Sequence, residues 1–496
     1  MKAISISSPA SLWSWKAGAS LAGLLALFLS LQCLLPLRTA ILIGADEGFE
    51  VAKATLCLKG YKLYTDVWND QPPLHTFLLT ESLRHLSSSM LGPRLITGGF
   101  TLLLLTAVFV VCWRFNGGRV AAIATLLLLA SPGFLLLGSS CMLEIPALAP
   151  TMAALCVLAL GNRSRWPVAE VVAGALFGIA LEIKMISFVM LPMAALLVWF
   201  NRRQNPSPGW SVTIRLLVLL VSLAASTVAT DLEASHGAYL AHFEQSWVSH
   251  FGGMKSLEYG SPNDHRFDWL ALLRNWEITL PAALGVVICL QRISGAFSAA
   301  IPLAWLAYSF SVFGLHRPWW NYYYVHTAIP LCWCAAIGIE AVWAKARWPQ
   351  GRFYCVALAL YAQCAGAWMI ERLYLEVQSV RQSPQTYTSL FLKEMARYKP
   401  QTRWLYAEEP VYSFHAGIPL PPDLAVLVLK RYWSGEMTSA RLTEDLRSFK
   451  PELMLLGNDS RQRPFHDFLN AEYQLIYMDG NNLLYVHKSI AHSVKH

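Results

Sequence analysis

The sequence predicts a polytopic α-helical membrane protein of about 11 transmembrane helices, carrying a small C-terminal α/β domain. Three observations lead there. Apolar stretches recur along residues 1–370, most of them near the twenty or so residues needed to cross a hydrocarbon core of about 30 Å. Hydrophobic residues make up 55% of the 496 and charged residues only 14%, with a mean hydropathy of +0.40; an ordinary soluble protein carries about 25% charged residues. From about residue 371 the composition becomes soluble-like.

The apolar stretches lie at 17–36, 95–113, 120–138, 142–160, 168–183, 185–200, 212–230, 269–290, 297–315, 322–343 and 353–370. Lys2 and Lys16 before the first stretch resemble the basic start of a signal peptide, but the stretch is long and no small-residue cleavage site follows it. A retained first helix is expected. With the N-terminus inside, the short inner loops hold Arg114 and Arg119, Arg163 and Arg165, Arg202 and Arg203, Arg292, and Lys345, Arg347 and Arg352. That alternation follows the positive-inside rule and accounts for the net charge of +8 without nucleic acid as a partner. An odd number of spans puts residues 371–496 on the extracytoplasmic face of the cell (inner) membrane.

The outer connections are polar and mixed in charge. In the first, 38–94, residues 47–59 read as an amphipathic helix with Phe49, Ala52 and Leu56 on one side and Glu50 and Lys53 towards the other. A second helix starts after Pro72-Pro73, since proline suits a first helical turn; both helices are expected along the membrane surface. A second long connection, 231–268, contains His236, His242, His250 and His265, with no i, i+4 pair to suggest a metal site. The C-terminal domain reads as strands at Arg403–Glu408, Leu453–Gly457, Tyr473–Met478 and Leu483–His487. A helix at Ser439–Phe449 and a hairpin around Asp479-Gly480-Asn481-Asn482 complete it. It has neither a glycine-rich phosphate loop nor a nucleophile elbow. All ten cysteines precede it, so no disulfide framework is encoded there, and Cys332-x-Cys334 reads as packing.

The adjacent carboxylates Asp46-Glu47, at the outer end of the first span, are the principal candidate site. A carboxylate there serves as a general base or holds a metal; alternatively Asp46 merely caps the helix that follows. The order Asp46-Glu47, amphipathic helix, Gly60-x-x-x-Tyr64-x-Asp66, then Asp70-Gln71-Pro72-Pro73-Leu74-His75 resembles the membrane glycosyltransferases of the GT-C superfamily. The most similar branch is the bacterial one related to protein O-mannosyltransferases and to the lipid A aminoarabinose transferase. Met142-Leu143-Glu144, Lys184, and His316 through Pro330 continue the resemblance.

The resemblance implies a GT-C-like fold and an inverting transfer of sugar from a polyprenyl-phosphate donor to a hydroxyl acceptor, which is a lipid, a glycan or a protein. It implies Asp46 as the base with Glu47 supporting it, and Asp70 with Gln71 and His75 shaping the site. Gln71 stands where the family has lysine. Lys184 is assigned to the donor phosphate, with Arg266, His316 and Arg317 as further cations, and Glu144, Tyr323 and Tyr324 line the site. No metal is assigned, although a divalent ion is left open. The competing reading is a transporter or flippase of a lipid-linked or anionic solute. Such proteins place charges at the midplane, often within inverted repeats, whereas here the acids gather at one face and no repeat is seen.

Overall fold

The computed structural model describes residues 14–161, 166–204, 210–235, 237–248, 255–256, 258–293, 297–348, 351–382, 388–457, 465–478 and 482–491. Arg163, Arg165, His236, His250 and positions 479–481 of the expected hairpin lie outside the described residues.

Every apolar stretch read from the sequence contains a helix. These are α1 (Trp15–Gln32), α4 (Leu91–Asn116), α5 (Gly118–Leu129), α6 (Glu144–Leu160), α7 (Val168–Leu181), α8 (Leu191–Gln204), α9 (Val212–Ala234), α10 (Trp276–Arg292), α11 (Ala300–Leu315), α12 (Tyr324–Ala346) and α13 (Arg352–Gln382). Among the described residues, six helices are long and apolar enough to cross a membrane, counting the turns that lead into α8 and α12. The first outer connection supplies α2 (Glu47–Leu58) and α3 (Leu74–His85).

Three boundaries differ from expectation, each for a local reason. The stretch 120–138 breaks at Pro132-Gly133, where Gly133 takes φ +70° and its N–H donates to Glu376. The stretch from 269 breaks at Asn275, leaving a short turn before α10. Helix α13 runs on to Gln382, past the expected boundary at 370.

Close helix crossings follow from small residues. On α7, a Cβ at Gly174 would stand 2.3 Å from the Leu219 carbonyl of α9, and one at Gly178 would stand 2.7 Å from the Leu223 carbonyl. Ser222 and Ser226 of α9 donate to the Val171 and Ala175 carbonyls across the same seam. Small residues that let two backbones meet are a standard device for helix association in lipid. The seam brings the C-terminal ends of α7 and α9 together.

The last part of the chain forms a four-stranded sheet ordered β1-β2-β4-β3, with β1 Leu405–Ala407, β2 Leu453–Gly457, β3 Tyr473–Met478 and β4 Asn482–His487. β1 pairs parallel with β2, and the remaining pairs are antiparallel. α14 (Val411–Ala416) and α15 (Ser439–Phe449) lie in the β1–β2 crossover. This part packs directly on the first outer connection. One hydrophobic cluster joins Ala52, Leu56, Tyr64 and Trp68 to Leu405, Tyr412 and Leu455. Gly48 of α2 sits so close that an added Cβ would lie 2.8 Å from the Val411 backbone nitrogen. Helix α2 is therefore covered on several sides, and Glu50 and Lys53, expected on its polar side, are only 3% and 1% exposed.

Candidate active site

The turn between α1 and α2 is fixed by Glu47. Its Oε1 accepts from Arg94 Nε at 2.8 Å and from the Cys141 N–H at 3.1 Å, while Oε2 accepts from Arg94 Nη2 and the Ile43 N–H, each at 2.8 Å. Arg94 Nη1 donates to the Leu37 and Ala40 carbonyls. Both partners are 0% exposed. Burial alone would raise the Glu47 pKa, but the Arg94 hydrogen bonds and charge, with the two amides, hold it below its usual range. Glu47 thus faces α4 and the start of α6 and is satisfied inside the protein. Neighbours in sequence, Glu47 and Asp46 have separate environments.

Asp46 occupies the position before α2 but makes no side-chain cap bond, which removes the capping account of its presence. Its carboxylate instead takes a hydrogen bond from Tyr322 and feels Glu144, Lys184 and Glu50. Burial, then Glu144, push its pKa up from 3.8 to about 6, against the lowering effect of Lys184 and Tyr322.

Lys184 lies in extended backbone between α7 and the turn leading into α8. Its ammonium pairs with Glu144, the first residue of α6, and stands 4.9 Å from the Tyr322 ring centre and 5.3 Å from that of Tyr323. Burial opposes its charge, but Glu144, with Tyr323 and Asp46, outweighs it and the pKa stands above its usual range. The partner is therefore Glu144 rather than Glu182, two residues before it in sequence. Its charge depresses the pKa of His316, after burial and Arg317. His316 packs edge-on to Tyr323 at 5.5 Å.

Asp70 Oδ2 accepts from Gln71 Nε2 at 2.9 Å and faces Lys430 Nζ at 3.5 Å. Burial lowers the Lys430 pKa, and Asp70 partly offsets it. Tyr323 lies within electrostatic reach of Lys184, Glu144, Asp70 and Asp46, joining the two halves of the cluster. Below the Asp70 loop, Glu50 bonds both Lys53 at 2.9 Å and His75 Nδ1 at 3.2 Å, and Lys53 also reaches Asn69 at 3.0 Å. His75 is fully buried and supports the loop from beneath.

The structure thus brings together Asp46, Asp70, Glu144, Lys184, His316 and Tyr323, with Gln71 against Asp70. It does not bring in Arg266, which is exposed and donates to the Asn263 carbonyl of its own loop. Nor does it aim Arg317 at the cluster, since its Nη1 donates to the His316 and Gly314 carbonyls. Tyr324 turns instead towards Asn275. Tyr322 was missed because three consecutive tyrosines cannot be ranked without the phase of the turn. Lys430 was missed because it arrives from 360 residues away.

Beside the cluster is a cavity of about 560 Å³, lined by Ala45, Leu136, Phe267, Trp319, Tyr322 and Tyr324 among others. The Pro132-Gly133 break also borders it. This largely apolar cavity touches Ala45, the residue before Asp46, and Tyr322, and is of the kind that takes a hydrophobic ligand.

The family model for dolichyl-phosphate-mannose-protein mannosyltransferase matches residues 70–226, less than half of the chain. No curated protein matches the sequence. Among solved structures, the chain is similar to ArnT from Cupriavidus metallidurans bound to undecaprenyl phosphate, at 16% identity and a TM-score of 0.68, covering 97% of this chain and 100% of that one. It is also similar to the oligosaccharyltransferase AglB from Archaeoglobus fulgidus in complex with an inhibitory peptide and a dolichol-phosphate. There the identity is 13% and the TM-score 0.57, with 90% of this chain and 70% of that one covered. The family match and the structural likeness bear out the resemblance read from the sequence: the chain has the GT-C fold of membrane glycosyltransferases.

Proposed function

We propose that the chain transfers a sugar from a polyprenyl-phosphate-linked donor to a hydroxyl acceptor, with Asp46 as the base. The observation that carries this reading is the carboxylate of Asp46, which makes no helix-capping bond and lies within electrostatic reach of the Lys184 ammonium, one residue from Ala45 at the lining of an apolar cavity. Asp46 takes the proton from the acceptor hydroxyl, whose oxygen attacks the anomeric carbon from the face opposite the phosphate. The carbon–phosphate-oxygen bond breaks, the electron pair leaves with the lipid phosphate, and the configuration inverts. Lys184 stabilises that departing phosphate, with Lys430 and His316 nearby; charge-assisted donors suit this task. Glu47 positions the Asp46 turn through Arg94, and Asp70 with Gln71 orients Lys430. The apolar cavity holds the start of the polyprenyl chain.

This reading places eleven spans in the inner membrane, with the cluster and residues 371–496 outside, the latter as a separate domain closing over the first outer connection. Its supports are the alternating basic loops and the contact between that connection and the sheet. The test is binding of undecaprenyl phosphate to purified protein in lipid nanodiscs. Lys184→Met should weaken binding about tenfold or more, the loss of one charge-assisted contact, while Asp46→Asn should leave it near wild type. Equal binding by wild type and Lys184→Met would sink the assignment of Lys184.

A further inference from the structure

One buried polar cluster takes no part in the proposed transfer. Glu182 follows the last residue of α7, Asp231 lies in the last turn of α9, and His242 lies in a short helix, Tyr239–His242, of the connection beyond. One ligand atom from each lies within 4.8 Å of the other two. Glu182 is 1% exposed and His242 4%. His242 Nδ1 is 2.9 Å from Asp231 Oδ1. His242 Nε2 and Glu182 Oε2 are buried and, among the described residues, have no hydrogen-bond partner.

We propose that Glu182, Asp231 and His242 bind a divalent transition-metal ion of the zinc class. Two carboxylates facing each other in a buried space repel unless a cation or a proton stands between them. Two oxygen donors and one imidazole are the ligand types zinc accepts. Three protein ligands at about 2.0–2.2 Å leave a fourth, water-filled position. Such ligands stand a little over ~3 Å apart around the ion, so a set already within 4.8 Å closes on it with small side-chain rotations.

The surroundings fit a built site. Tyr64 stacks on the His242 ring at 5.0 Å, and its hydroxyl donates to the Gln71 carbonyl, which Ser246 also meets. The His242 turn continues into a wider π-helical turn, Phe243–Val248, a form that often accompanies functional positions. The Leu74 N–H donates to the Glu182 carbonyl. An ion here joins the ends of α7 and α9 to the His242 turn, through Glu182, which stands two residues before Lys184 and whose carbonyl is tied to the start of α3. It acts as a brace and takes no part in proton or sugar transfer. The inference does not depend on the transfer reaction.

The test uses the full chain purified in detergent, stripped with chelator, dialysed against Zn²⁺ and freed of unbound metal. Elemental analysis should find one zinc per chain. Glu182→Gln and His242→Ala should each weaken binding by about tenfold or more. Chelator should lower the thermal midpoint of wild type, and zinc should restore it, a readout that stands even if a variant fails to fold. Substitution of wild type with Co²⁺ should give visible bands of a nitrogen–oxygen site. Zinc-free wild-type protein, undiminished zinc in both variants, or sulfur-to-cobalt charge transfer from the free cysteines would each overturn the proposal.

Discussion

Asp46→Asn replaces one carboxyl oxygen and removes a charge from a group whose pKa stands at about 6 instead of 3.8, through burial and Glu144. A native carboxyl with a raised pKa holds its proton more tightly than the unfolded chain does. Its contribution to stability is therefore full below the unfolded value and is lost as pH rises through about 6. A rise of about two pH units corresponds to roughly 3 kcal/mol at 1.36 kcal/mol per unit, and the partial solvent exposure of Asp46 reduces this to about 2 kcal/mol. Asparagine carries no charge to desolvate. Relative to wild type, Asp46→Asn should gain about 2 kcal/mol between pH 4 and pH 8, read as a widening difference in thermal midpoint in nanodiscs. The same variant should lose sugar transfer, while wild-type transfer rises with pH through about 6 as the base ionises. A stability difference independent of pH, combined with a flat pH–rate profile, would refute the reasoning.

Other outcomes follow from the same geometry. Glu47→Gln and Arg94→Met each leave a buried charge unpaired and should destabilise the protein by about 3–5 kcal/mol, measured as loss of folded protein after detergent extraction. Gly48→Ala drives a methyl against the Val411 backbone. It should cost about 1–3 kcal/mol and increase proteolysis of residues 388–457, although it touches no reacting group. Lys430→Met removes the cation facing Asp70. It should raise the KM for donor with little change in the thermal midpoint, and an unchanged KM would exclude Lys430 from the phosphate.

The helices were legible because membrane spans announce themselves by length and apolarity, and β2, β3 and α15 were legible from their local patterns. What escaped depends on distance in sequence. Glu47 and Asp46 read as a pair, yet Arg94, 47 residues away, takes Glu47 out of the site. Glu50 and Lys53 look like the polar face of a surface helix. His75 and Asn69 bury them instead, because a charged pair is tolerated inside when every partner is supplied. Lys184 stands two residues after Glu182 in sequence, but the extended backbone at Lys184 sends its ammonium to Glu144. Glu182 is left to meet Asp231 and His242 through the Gly174–Gly178 seam. Gln71 in place of a lysine marked the weakest point of the family resemblance, and there the structure sets Lys430 against Asp70.

The central claim, that Asp46 is the base of a lipid-phosphate glycosyl transfer, is tested most directly in proteoliposomes. Wild-type protein receives an undecaprenyl-phosphate-linked sugar and an envelope extract as acceptor, and glycosylated product is followed by mass spectrometry together with release of undecaprenyl phosphate. The account predicts product from wild type and none from Asp46→Asn, with that variant folded and still binding undecaprenyl phosphate. Near-wild-type product from Asp46→Asn would contradict it.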